Sequence, residues 1–418
     1  MLKILVVGCG GQGAPCASIL SNDPEVTEIV LVDINEKLLK KVSDKIGSDK
    51  LTTMRVDAGN LEDLLRAAKG MDGIINLTHM KFNANIMEAA YKSGAHYVDT
   101  AFDPFGTFSR QLMEGKPLEF DKEFKEAGLS AVITCGGSAG LMNVLTRYAC
   151  DNFDSLDEIR IYLGGGSISK SAPVIQTWTP GWSPEIALDD YAAEVNVFTN
   201  GKYQVFPPFS HMEEYKFPDP VGPVLLSYHS HEEPITMPRF LGKGIKHVSF
   251  HFGVNKVVGS LIKLGFARYD SIDVKGVKVA PRDVLLSLVR RPVNTFLTED
   301  ESTAVAPSGR MGFSVIEVDG KKDGESMKCK IIRGGTETSS EDKLKMFRRL
   351  GTRKVGVAAP AIVGLKMCIQ EKIARGIIAP ECFDPAVFLK KLADLGYPVE
   401  FQEIINKRVR AQNTEDRR

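Results

Sequence analysis

The run Gly8-Cys9-Gly10-Gly11-Gln12-Gly13 has the residue types and spacing to hold a diphosphate by backbone N–H groups. Gly8 suits a tight turn leaving a strand. Gly10, without a Cβ, lets the backbone approach a pyrophosphate, and Gly13 lets the next helix pack closely on the sheet. Gly11 and Gln12 complete the turn. An apolar run, Lys3–Val7, precedes it, and a helix-compatible stretch, Ala14–Ser21, follows. A second strand, Glu28–Val32, then ends in Asp33. A carboxylate there accepts hydrogen bonds from the adenosine ribose and repels the extra phosphate of NADP. The following Ile34-Asn35-Glu36-Lys37 offers no arginine, so NAD is expected in preference to NADP. Two plainer readings stand beside this one. The glycines could serve packing only, and Asp33 could cap the helix in which Leu38, Leu39 and Val42 recur at helical spacing.

Positioning such a turn requires alternating strands and helices, and residues 1–135 have them. Strands are expected at Lys3–Val7, Glu28–Val32, Thr53–Val56, Gly73–Leu77, His96–Asp99 and Ser130–Thr134, with helices between, such as Leu61–Ala68 and Ala84–Ser93. This rhythm predicts an α/β fold with a doubly wound parallel sheet. Ligands of such sheets lie beyond the carboxyl ends of the strands. Asp57 is therefore expected near the adenine side, and Asn76, Leu77 and Thr78 near the middle of the cofactor. Asp99 and His96 are expected beside the nicotinamide, as groups that could move a proton. Capping or satisfying backbone donors is the plainer role for Asp99.

The rhythm changes after Gly136-Gly137-Ser138-Ala139-Gly140. A helix is expected at Leu141–Asp151, and a strand at Glu158–Gly164. Residues 170–240 are rich in proline and aromatics, with both tryptophans, Trp178 and Trp182. Thr199-Asn200-Gly201-Lys202 reads as the turn of a hairpin. Further strands are expected at His247–Phe252, Ser314–Val318 and Ser326–Ile332, the last two as edge-like strands joined by the polar loop Asp319–Gly324. Helices are expected at Lys256–Leu264 and Arg282–Arg290. Together these predict a second, α+β domain with a mixed or antiparallel sheet. A helix from Ala358 to about Arg375, a turn at Gly376–Glu381 and a helix at Asp384–Leu395 follow. The polar tail Ala411–Arg418 reads as frayed.

Composition narrows the partners. A chain of 418 residues with 43% hydrophobic and 25% charged residues reads as a globular protein of two or three domains. Lys+Arg and Asp+Glu both total 53, so no net field favours nucleic acid or an anionic membrane. The longest apolar runs are too short to span a membrane. Seven cysteines without metal-type spacing, and a first strand directly after Met1, lead us to expect a cytoplasmic protein with reduced thiols. His229 and His231 have an H-x-H spacing, but without a nearby cysteine or third histidine no metal is expected.

Several segments resemble the saccharopine dehydrogenase superfamily. They are Val6–Gly13, Ile74-Ile75-Asn76-Leu77, Gly94-Ala95-His96-Tyr97-Val98-Asp99-Thr100, Glu233-Pro234-Ile235-Thr236-Met237-Pro238-Arg239 and Ala374-Arg375-Gly376-Ile377-Ile378-Ala379-Pro380-Glu381. The resemblance implies a Rossmann-type domain over 1–135, completed by C-terminal residues at about 355–400, and a substrate and dimerisation domain over 136–354. It implies an NAD(P)-dependent dehydrogenase acting on a C–N bond of a lysine- or saccharopine-like amino acid, working as a homodimer. Two departures lean away from saccharopine reductase proper: Asp33 in place of a basic residue, and Gly137-Ser138-Ala139-Gly140 in place of an Asp-Pro-Gly element. Such a substrate needs a cation for its carboxylate, for which Arg239 is the candidate. His231 and Trp178 are candidates to line the same pocket. The alternatives are a carboxyspermidine-type polyamine reductase, and a catalytically silent nucleotide-binding protein of the same fold.

Overall fold

A nearly unbroken apolar strand, β1 (Leu2–Val7), buries both faces and therefore sits in the middle of a sheet rather than at its edge. The computed structural model describes residues 1–167, 178–305, 310–334, 340–371 and 373–407; the tail Ala411–Arg418 lies outside them. From β1 the chain runs through α1 (Gly13–Ser21), β2 (Val26–Asp33), α2 (Glu36–Ile46), β3 (Leu51–Arg55), α3 (Leu61–Ala68), β4 (Gly73–Asn76), α4 (Asn83–Ser93) and β5 (His96–Asp99). Two short helices, α5 (Thr107–Met113) and α6 (Asp121–Glu126), lead to β6 (Ser130–Val132). Ile4 and Val6 face one apolar layer with α1 and α2, while Leu5 and Val7 face another with α3 and α4. Asn35 caps α2 by accepting from the Leu38 N–H at 3.0 Å, so the cap is Asn35 and not Asp33.

The second part is α7 (Leu141–Cys150), β7 (Ser155–Ser167), α8 (Pro184–Ala192), the hairpin β8 (Val195–Thr199) and β9 (Lys202–Phe206), then β10 (Glu213–Lys216) and β11 (Pro223–Tyr228). It continues through α9 (Glu233–Phe240), β12 (His247–Gly253), α10 (Lys256–Lys263), the small hairpin β13 (Ile272–Val274) and β14 (Val277–Val279), α11 (Pro281–Leu288), α12 (Pro292–Thr298) and α13 (Glu301–Val305). Two long strands follow, β15 (Arg310–Lys322) and β16 (Glu325–Gly334), and then α14 (Ser340–Leu350). The chain closes with α15 (Ala358–Gln370), β17 (Gly376–Ile378), α16 (Pro385–Leu395) and β18 (Gln402–Lys407).

All pairings in the first sheet are parallel, in the order β17-β6-β5-β4-β1-β2-β3. Strand order reverses at β1, so a crevice opens beyond the carboxyl ends of β1 and β4. The second sheet has nine strands, ordered β10-β11-β12-β7-β15-β16-β18 with β8 and β9 attached to β12. Only β12 and β7 pair in parallel, which makes it a mixed sheet. Two expectations need correction. β15 and β16 are not edge strands, because β7 and β18 flank them. The polar loop between them shrinks to Asp323-Gly324, both at positive φ, since two residues suffice when both can be left-handed.

The C-terminal segment returns to the first sheet. α15 is apolar on almost every side and packs on α1 and over β4, β5 and β6, which is why it stops at Gln370 when polar residues resume. The expected turn at 376–381 opens instead as β17, a parallel partner of β6. No helix among the described residues is long and apolar enough to cross a membrane.

Leu365 of α15 is fully buried, and a Cβ on Gly73 of β4 would come within 2.5 Å of its Cδ1. Leu365→Ala should destabilise the chain by about 2–5 kcal/mol, read as a lowered midpoint of urea unfolding. A loss below about 1 kcal/mol would mean that α15 is not part of the first domain's core.

Candidate functional site

A cavity of about 810 Å³ opens at the strand-order reversal, with the glycine turn as its floor. Gly8 has φ +98°, and a Cβ on it would lie 2.8 Å from the Leu77 carbonyl oxygen. A Cβ on Gly13 would collide with the Gly8 carbonyl, so α1 can start there only from glycine. A Cβ on Gly10 would meet nothing in the protein, and Gly10 borders the cavity with Gly8, Gly11 and Gln12. A diphosphate can therefore reach the backbone at Gly10, at the positive end of α1. Asp33 joins this floor: its Oδ2 accepts from the Cys9 N–H at 2.7 Å and its Oδ1 from the Asn35 N–H at 2.9 Å. The turn and the carboxylate at the end of β2 are thus one hydrogen-bonded unit, and the donor set fits a dinucleotide.

The other residues expected on this side divide. Asp57, Leu77 and Thr78 border the cavity. Asn76 lies beneath it: its Oδ1 accepts from the Thr78 N–H at 3.0 Å and from its hydroxyl at 2.7 Å, which shapes the loop. Asp99 is buried below the cavity lining, accepting from the Thr134 N–H at 2.7 Å, the Tyr97 hydroxyl at 3.0 Å and the Asn83 amide at 3.3 Å. Burial, with Glu232 adding to it, pushes its carboxyl up to about 7, although the Thr134 and Ala101 N–H groups and the Tyr97 hydroxyl pull the other way. His96 must be reassigned. It opens β5 opposite Gly73, at the amino edge of the sheet, whereas Asp99 lies opposite Asn76 at the carboxyl edge. Its Nδ1 accepts from the Ser130 N–H at 3.1 Å, and burial with Arg375 lowers its pKa to about 4.

The facing wall comes from two segments of the second part. The first is α8 and the residues just before it, which bring Trp182, Glu185 in its first turn and Asp190 in its last. Ser183 caps it and Pro184 occupies its first turn, where a missing N–H costs nothing. The second is the loop and cap between β11 and α9, which brings His229, Ser230, His231 and Glu232. The two histidines follow the end of β11 and so do not share a strand face. His231 stacks on Phe250 with centroids 4.0 Å apart, bonds Glu233, and faces Glu232 Oε2 at 3.2 Å. Burial alone would lower its pKa, but Glu233, Glu232 and Asp190 outweigh it and raise it to about 9. Burial likewise raises Glu232 to about 7, against the pull of His231, and Asp190 to about 8. His229 goes the other way, to about 3, through burial and its neighbour His231. The Ser138 hydroxyl donates to Glu233 Oε1 at 2.6 Å, so the segment after Gly137 is part of this wall. The Ser230 hydroxyl is buried without a protein partner among the described residues.

Ligand atoms of His231, Glu232 and Glu233 lie within 4.8 Å of one another. The two carboxylates are engaged with His231 and Ser138 as described. Arg239 is not brought to the cavity. It is exposed in the last turn of α9, whose Pro234 falls in the first turn, where a helix tolerates it. Trp178 packs on the apolar cluster of Leu188, Tyr191 and Val258, and it is Trp182 that borders the cavity. Glu185, Asp190, Glu232 and Arg291 were not singled out from the sequence. Only the Glu232-Glu233 pair beside the histidines gave a signal.

A sequence profile described as the saccharopine dehydrogenase NADP binding domain matches residues 4–132, and one described as the saccharopine dehydrogenase C-terminal domain matches residues 136–397. The carboxyaminopropylagmatine dehydrogenase of Synechocystis sp. is 25% identical over 97% of this chain and 98% of its own length. The carboxynorspermidine synthase of Vibrio alginolyticus is also 25% identical, over 96% of this chain and 97% of its own. Among solved structures, apo saccharopine dehydrogenase (L-Glu forming) from Saccharomyces cerevisiae has a TM-score of 0.65 at 13% identity, covering 97% of this chain and 100% of that one. The homospermidine synthase of Legionella pneumophila in complex with NAD has a TM-score of 0.61 at 11% identity, covering 97% and 91%. These two likenesses show the fold.

The raised carboxyl of Asp99 predicts a pH dependence of stability. Between the ordinary carboxylate pKa and about 7, the folded chain keeps a proton that the unfolded chain releases. That stability is complete below the ordinary value and is lost as pH rises through about 7, by up to about 1.4 kcal/mol per unit. In Asp99→Asn, whose amide oxygen can still accept from Thr134, the fall in unfolding free energy between pH 5 and pH 7 should shrink measurably. An unchanged slope would mean that Asp99 is ionised throughout.

Proposed function

This chain belongs to the saccharopine dehydrogenase family, and on that premise we propose that it is a nicotinamide-dinucleotide oxidoreductase that makes or breaks a C–N bond of a cationic, polyamine-like amine carrying a carboxylate. The observation that carries this reading is the acidic wall facing the glycine turn, in which Glu185, Asp190 and Glu232 border the cavity together with His231. An extended amine with several positive charges is complementary to such a wall. The curated relatives are named for molecules of this kind, carboxyaminopropylagmatine and carboxynorspermidine.

The dinucleotide supplies or accepts the hydride at the carbon of the C–N bond. The chain's residues manage charge and water. Glu232 and Asp190, with carboxyls raised to about 7 and about 8, sit near the pKa at which a group both takes and returns a proton at neutral pH. Either is suited to take the proton that an ammonium must lose before its nitrogen can form or leave an imine. His231 keeps its proton through Glu233 and Glu232, and Phe250 fixes its plane. Asp33, followed by no arginine in Ile34–Lys37, favours NAD over NADP, although Arg55 of β3 is its neighbour across the sheet.

A second reading, a lysine- or saccharopine-like amino-acid dehydrogenase, is favoured by one feature. The cationic His231 could itself take the substrate carboxylate. The two are separated by following NADH and NADPH oxidation with polyamines paired with carboxylate-bearing aldehydes, against NAD reduction with lysine and saccharopine. Turnover of polyamine pairs is expected. Turnover of lysine or saccharopine alone would favour the second reading, and nucleotide binding without any turnover would leave a silent binding protein.

Two substitutions sharpen this. Glu232→Gln should lower kcat roughly 100-fold near pH 7 with little change in cofactor affinity; a wild-type kcat would remove Glu232 from proton transfer. Asp33→Arg should move the ratio of NADH to NADPH affinity toward NADPH in a fluorescence titration. A constant ratio would remove its ribose role.

A further inference from the structure

The segment Arg291–Glu299 lies within the second part in sequence but is fastened to the first. Pro292 lies over the glycine turn, and a Cβ on Gly11 would come within 2.7 Å of the Pro292 Cβ. Val293 and Phe296 of α12 are buried in the apolar layer shared with α1 and α2. Its backbone is held at both ends. Lys354 Nζ donates to the Pro292 carbonyl at 2.5 Å, and Lys45 Nζ of α2 donates to the Glu299 carbonyl at 2.6 Å. The Glu299 carboxylate accepts from Thr352 at 3.1 Å and from Arg353 at 3.0 Å. Arg291, at the start of this strap, is therefore fixed above the diphosphate-binding turn while its side chain remains half exposed.

That side chain reaches across the mouth of the cavity and pairs with Glu185 Oε1 of α8 at 2.6 Å. Among the described residues that line the cavity, Arg291 is the only lysine or arginine, beside five carboxylates: Asp33, Asp57, Glu185, Asp190 and Glu232. A dinucleotide diphosphate carries two negative charges. The glycine turn offers it N–H groups and a helix dipole but no full positive charge. A guanidinium is the side chain best matched to phosphate oxygens.

We propose that Arg291 is a diphosphate ligand of the cofactor, exchanging the Glu185 carboxylate for the diphosphate when the dinucleotide binds. The exchange rests on the dinucleotide reading of the glycine turn. It has a second consequence: Glu185, once released, faces the cavity as a free carboxylate available to a cationic amine. Cofactor binding thereby prepares the acidic wall for the second substrate.

ADP-ribose, which carries the diphosphate but neither the nicotinamide nor the 2′-phosphate, separates this role from the others. Its affinity is measured by isothermal titration calorimetry on the full chain for wild type, Arg291→Gln, Arg291→Lys, Glu185→Gln and the double variant. Arg291→Gln should weaken ADP-ribose about tenfold, with Arg291→Lys in between. Glu185→Gln should tighten it about threefold by removing the competitor, and that gain should vanish in the double variant. Thermal melting of each variant distinguishes lost affinity from lost folding. Arg291→Gln binding ADP-ribose within twofold of wild type overturns the proposal, and so does a Glu185→Gln that weakens it. A raised KM for the carboxylate-bearing substrate with unchanged ADP-ribose affinity would overturn it in favour of a substrate contact. Absence of ADP-ribose binding by the wild type itself would overturn the dinucleotide reading as well.

Discussion

The space between the Gly8 carbonyl and the start of α1 admits no Cβ at position 13, and much of the site follows from that contact. Because α1 can begin this close to β1, its N-terminus points into the crevice where strand order reverses. The Asp33 carboxylate then has the Cys9 N–H within reach and ties the end of β2 to the same turn. Strap, floor and cavity mouth are all built on this fixed point: Pro292 rests over Gly11, and Leu77 and Thr78 close against Gly8. A floor with few internal degrees of freedom is what a diphosphate needs, since its ligands are backbone groups that cannot adjust as side chains can.

Against this neutral, rigid floor stands a wall of titratable side chains. Its chemistry comes from crowding. His231, Glu232 and Glu233 are consecutive, Asp190 and Glu185 arrive from α8, and all lie where water is scarce. Burial disfavours charge there, so His231 is kept charged by its acidic neighbours while Glu232 and Asp190 rise toward neutrality. Groups poised in this way can pass protons at physiological pH without a metal being invoked. Arg291 spans the two sides, anchored on the floor's domain and paired with the wall.

Sequence reasoning succeeded where the signal was local. The glycine turn, the six strands of the first domain, the Asn-Gly hairpin and Asp33 can each be read from a dozen neighbouring residues. It failed in three physical circumstances. His96 and Asp99 are three residues apart on one strand, and only strand direction decides that one of them meets the crevice and the other the opposite edge. α8 and α9 lie in the proline-rich stretch 170–240, where no helix is expected, yet Pro184 and Pro234 fall in first turns, where a helix tolerates them, and α9 forms with Pro238 inside it. The long strands β15 and β16 looked like edges because their ends are polar, while their pairing partners β7 and β18 lie far away in the chain.

The sequence by itself determined the glycine turn, the carboxylate beside it and the order of the elements, since these depend on backbone conformations and periodicities set by adjacent residues. It also determined family membership, through segments that keep their order along the chain. Only the tertiary structure decided which acids face that floor, that Arg239 is excluded and Arg291 included, and that Trp182 rather than Trp178 borders the cavity. Those facts depend on where residues about a hundred or more positions apart come to rest. The pKa of each group depends in turn on burial and on neighbours that no local pattern records.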